Sequence, residues 1–141
     1  MGHLFYVAVV MEVSTSTKRA VVEETTMSLY IVVTLLTAVV TAAIAVADYI
    51  PAQFVLANSA RVGVPRSWLP MLGTLKLAGA LGLVAGLFGL RILGVAAAAG
   101  LVLFFIGAVV THVRARVLSN IAFPGGYLLL SAASLALAAT Q

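Results

Sequence analysis

Four apolar runs constrain this chain more than anything else in it. They cover Ser28–Ile50, Leu69–Leu90, Ile92–His112 and Leu118–Ala139. About 20 apolar residues suffice for a helix to cross the hydrocarbon core of a bilayer. In lipid every backbone polar group must be satisfied inside the segment, so such runs fold as helices. The pattern predicts an all-α fold: an integral membrane four-helix bundle. Residues 51–68 form its first loop, where Ala52–Ala60 predicts a short helix lying on the membrane surface. Arg61 and Arg66 then sit among headgroups, with Trp68 as an interfacial anchor.

Composition agrees. Of 141 residues, 63% are hydrophobic and 9% charged, and a soluble domain of this size needs far more polar surface. The chain has no cysteine, which excludes disulfides, thiolate metal sites and cysteine nucleophiles. The net charge of +4 is spread over scattered residues without a basic, aromatic-interleaved face, so nucleic acid is not an expected partner. The expected setting is the lipid bilayer, as a multi-pass protein of the plasma membrane.

Residues 1–27 differ from the rest. A short apolar run, Leu4–Val10, leads into the polar string Ser14–Arg19. The run is short, has no basic residues before it and no small-x-small cleavage site, so it fits a signal peptide poorly. The expectation is a loosely ordered or interfacial tail, with Met27 as an alternative start, ahead of a transmembrane domain over residues 28–141. At the other end, Leu118–Ala139 contains Pro124-Gly125-Gly126. Starting after Gly126 would leave the last span too short, which predicts a kinked helix beginning before the proline.

The faces of these helices are informative. On the first, Tyr30, Thr34, Thr37, Thr41 and Asp48 fall on one line at helical spacing. On the second, Gly79, Gly82, Gly86 and Gly89 form a smooth stripe suited to close helix packing. Lys76 sits at its edge, roughly 10 Å into the run at ~1.5 Å per residue. On the third, a small-and-large seam ends in His112. Asn120 lies near the start of the fourth.

Beyond residue 25 the only carboxylate is Asp48, against six Lys or Arg. Four crossings place Asp48, Lys76, His112 and Asn120 in the same half of the bilayer. A charge at that depth costs a few kcal/mol or more and pairs or faces a cavity, which predicts an Asp48–Lys76 pair with His112 nearby. By the positive-inside rule Arg61, Arg66, Arg114 and Arg116 place that side in the cytoplasm. Three readings compete. The pair is a latch fixing helix register; or the cluster lines a cavity that binds a polar head on a lipophilic molecule; or the side chains snorkel to headgroups. Two ligands, His112 and Asp48, do not complete a metal set, so no metal is expected. Haem would have only His112 as an axial ligand within the spans.

With these residues placed, the chain resembles the DoxX-like family of small four-helix membrane proteins. The likeness rests on Leu69-Pro70, Gly73, Lys76, Leu77 and Gly79 at the entry to the second span, on the paired helical hairpins, and on His112 closing the third. It covers roughly Leu29 to Ala139. The resemblance implies a four-helix bundle, and relatives are linked with quinone-coupled sulfur oxidation and with membrane-associated redox-stress complexes. It therefore implies a quinone as the candidate cofactor; no motif encodes one.

Three functions follow as expectations. The first is a binding protein or redox-accessory subunit holding a lipophilic small molecule at Asp48, Lys76, His112, Asn120 and Thr41. The second is a membrane-embedded acid–base enzyme, an isomerase, cyclase or epoxide-opening catalyst, using Asp48, Lys76 and His112. The third is a structural partner that packs as a homo-oligomer or on a larger membrane complex through the glycine stripe.

Overall fold

The computed structural model describes residues 1–141. It contains five α-helices: α1 (Gly2–Tyr49), α2 (Gln53–Arg61), α3 (Leu69–Leu87), α4 (Arg91–Arg114) and α5 (Ala122–Ala139). Single 3₁₀ turns precede α3 (Arg66–Trp68) and α5 (Leu118–Asn120). Four of the helices, all but α2, are long and apolar enough to cross a membrane. They close into a ring in which α1 packs on α3 and α5, and α4 packs on α3 and α5. The core is thin, built around Ala38, Ala80, Leu83, Ala98, Leu101 and Phe105. Leu35, Leu81, Leu103 and Leu129 point outward, where lipid rather than water is the solvent.

The expectation of a loosely ordered tail over residues 1–27 is corrected. These residues are the first half of α1, a single helix of 48 residues. Its cause is legible in hindsight: no glycine or proline occurs between His3 and Ile50, so nothing breaks the helix. The polar string does not break it either. Thr15 and Thr17 return their hydroxyls to the Met11 and Val13 carbonyls, four residues back, which lets hydroxyl side chains ride a helix. At ~1.5 Å per residue α1 is roughly 72 Å long, about twice a bilayer core. Residues 1–25 are exposed throughout.

The last span starts later than the expected Leu118, though still before Pro124. A 3₁₀ turn at Leu118–Asn120 precedes a helix that begins at Ala122 and runs 18 residues. Pro124 therefore falls in the first turn, where its missing N–H costs nothing.

Glycines set the α3–α4 contact. A Cβ on Gly82 would come within 2.5 Å of the Ala97 Cβ, and one on Gly86 within 2.6 Å of the Gly94 Cα. A Cβ on Gly79 would meet Leu101 at 2.5 Å. Gly89 is a correction: it takes no part in packing but turns the chain between α3 and α4 at φ +100°, a conformation that glycine adopts freely. Gly79, Gly82 and Gly86 are thus used for packing inside the chain.

Candidate functional site

The polar residues gather where α1 ends, α3 begins and α4 ends. Gly73 makes this possible. A Cβ there would lie 3.1 Å from the Ala45 carbonyl oxygen and 3.1 Å from the Asp48 Cβ, so α3 crosses α1 at near backbone contact. One turn later Lys76 reaches across, and its Nζ donates to Asp48 Oδ2 at 2.6 Å. Both residues are deeply buried, at 3% exposure for Asp48 and 8% for Lys76. The ammonium also stands 5.4 Å from the centre of the Phe104 ring, a cation–π distance. Tyr49, next to Asp48, shares a hydrogen bond with Thr74 of α3.

His112 is buried too, at 4% exposure, but it does not join that pair. Its Nδ1 lies 2.8 Å from the Ala108 carbonyl, which can only accept, so Nδ1–H is the donor. Its Nε2 stands 3.3 Å from Asn58 Oδ1. Asn120 donates to the same Asn58 oxygen at 3.4 Å. The expected single cluster is therefore two stations, Asp48–Lys76 on α1 and α3, and His112–Asn58–Asn120 on α4, α2 and the turn before α5.

A cavity of about 580 Å³ separates and joins them. Asp48, Lys76, His112, Asn58 and Asn120 all line it. Most of the remaining wall is apolar, with Phe54, Trp68, Phe104, Phe105, Phe123 and Tyr127 supplying aromatic surface. Tyr127 stacks on Phe105 with ring centres 5.0 Å apart, and its hydroxyl donates to the Val40 carbonyl at 3.3 Å. The volume lies within the ~300–1,000 Å³ of small-molecule sites.

The short helix α2 forms one side of the cavity through Phe54, Val55, Asn58 and Ser59. It is anchored by Val55, which packs with Ala47 and Leu69, and by Arg61, which donates to Ser119 at 3.1 Å. Asn58 and Tyr127 are the two site residues that sequence reasoning missed. The spacing of Val55, Asn58 and Val62 along one side of α2 was the available signal for Asn58.

Thr41 is not at this site. It is fully buried against the bundle, roughly 10 Å along α1 from Asp48 at ~1.5 Å per residue, and it does not line the cavity. Its hydroxyl has no hydrogen-bond partner, nor does that of Thr34 two stripe positions earlier. Thr37 between them bonds to Ser134 of α5 at 2.9 Å. The threonine stripe thus faces into the bundle and meets α5 at Thr37. No three His, Asp or Glu side chains come together as a metal-sized group. Both nitrogens of His112 stand against protein oxygens.

A sequence profile of the DoxX-like family matches residues 32–134. The chain belongs to the DoxX-like family. The match takes in all four membrane-spanning segments and both polar stations, and leaves the exposed first half of α1 outside. No curated protein and no solved structure matches the chain. This DoxX-like protein is a small multi-pass membrane protein by family and by its four apolar helices.

Proposed function

We propose that this DoxX-like protein binds a neutral lipophilic molecule with a polar head, held between its helices in the leaflet of Asp48 and His112. The observation that carries the proposal is the cavity with a polar station on each side and an aromatic wall. Neutrality follows from charge balance. Lys76 and Asp48 cancel each other at 2.6 Å, so a charged guest would face an uncompensated charge in a low-dielectric site. Lys76 keeps N–H donors beyond the one committed to Asp48, and these suit a carbonyl or hydroxyl oxygen of the guest. A flat ring fits against Phe104 and Phe105. A quinone has all of these features, and a role as a quinone-holding, redox-linked accessory subunit is the form of the proposal that the family resemblance supports.

The test is equilibrium binding of a tail-less dimethoxy-methyl-benzoquinone to the protein in nanodiscs. His112→Ala and the double variant Asp48→Asn/Lys76→Met should each weaken binding at least tenfold. The double variant removes both charges together, which keeps the fold. Wild-type affinity in both variants would refute the proposal.

A further inference from the structure

A second cavity, of about 420 Å³, adjoins the first. The two share Leu75 and Phe104. The second has no charged or hydrogen-bonding side chain. Its floor is Ala78 and Gly79 of α3 and Ala97 and Gly100 of α4, small residues that leave a trough between the helices. It runs away from the polar stations toward the middle of the bundle. From Phe104 to Ala97 it follows α4 for roughly 10 Å at ~1.5 Å per residue, past the midpoint of a helix of 24 residues. Gly100 is exposed in this trough, and a Cβ built on it meets nothing within 4 Å. Gly79 is different, since its missing Cβ accommodates Leu101. The trough therefore stays open for a reason other than helix packing at Gly100.

Resting on the binding reading above, we infer that the guest carries one hydrocarbon tail and that the α3–α4 trough beyond Phe104 is its tail site. The occupant is fixed by continuity. A polar head between Lys76 and His112 places its substituent near Leu75 and Phe104, which line both cavities, and from there a hydrocarbon chain can lie along a trough floored by glycine and alanine. Because the bilayer is as apolar as the trough, the tail adds selection and alignment more than affinity.

The experiment uses a decyl benzoquinone with a photoreactive diazirine at the tail end, in nanodiscs holding the full chain. Peptide mapping should place the label on Ala97–Leu101, and excess unmodified decyl benzoquinone should suppress it. Gly100→Leu fills the trough without displacing backbone and improves helix propensity. It should reduce that label at least fivefold while the tail-less head binds within twofold of wild type. Label spread evenly over lipid-facing positions such as Ile92 and Leu129, or unchanged by Gly100→Leu, overturns the tail site. If the tail-less head binds in those cases, the binding reading stands without it. If the head does not bind at all, both fall.

Discussion

The two ends of the α3–α4 pair are built on opposite principles. At one end Gly86 and Gly94 bring the backbones together so closely that a single Cβ would reach within 2.6 Å of the partner Cα. At the other end Lys76 and His112 belong to the same two helices, yet a cavity of about 580 Å³ lies between them. The difference comes from side-chain size. Glycines and alanines close one end, while Phe104, Phe105 and the lysine stem hold the other apart. In lipid, helices gain association from packing, not from leaving water. Tight packing at the glycine end therefore supports an open site at the polar end.

That contrast orders the predictions. Breaking the ion pair should cost most. Lys76→Ala leaves Asp48 buried without a partner and should lower stability by about 3 kcal/mol or more, while Asp48→Asn/Lys76→Met recovers most of the loss. Unfolding titrations in mixed micelles measure both, and a double variant as unstable as the single one would show that the pair has a further structural role. Gly86→Leu attacks the closed end. It must push α4 away and should cost about 1–3 kcal/mol, with the benzoquinone affinity lost at the same time. If stability falls and affinity holds, the two ends are independent. Asn58→Ala removes the acceptor of Asn120 and the side chain that stands against His112. It should cost about 1 kcal/mol and weaken binding severalfold, by loosening α2 over the cavity. Gly100→Leu should be the mildest, within about 0.5 kcal/mol of wild type as for most open surface positions, read in the same titration.

Some of this architecture was legible in the residues. Run length and apolarity are sufficient for the four membrane-spanning helices, because lipid leaves the backbone no alternative. Asp48 and Lys76 were legible as a pair because each is the one charge in its own run and chain topology brings the runs side by side. Asn58 was not, since it lies in a loop helix whose docking depends on Val55 meeting Ala47 and Leu69. His112 was placed near the pair, but its partner is that same asparagine. Thr41 carried the right spacing for the site but lies too deep in the bundle, since the same helical line meets α5 at Thr37 before it reaches Asp48. The first half of α1 was misread because the polar string at Ser14–Arg19 resembles a loop. The absence of any glycine or proline nearby was the stronger signal.

The central claim is that the cavity between the two polar stations takes up a guest. Gly107 lines that cavity, and a Cβ added there meets nothing within 4 Å, so Gly107→Phe should fill the space without disturbing the bundle. Native mass spectrometry of both proteins with the tail-less benzoquinone tests this directly. The account predicts one bound molecule per wild-type chain and none on Gly107→Phe at equal thermal stability. Equal occupancy of the two proteins, or no occupancy of either, would contradict it.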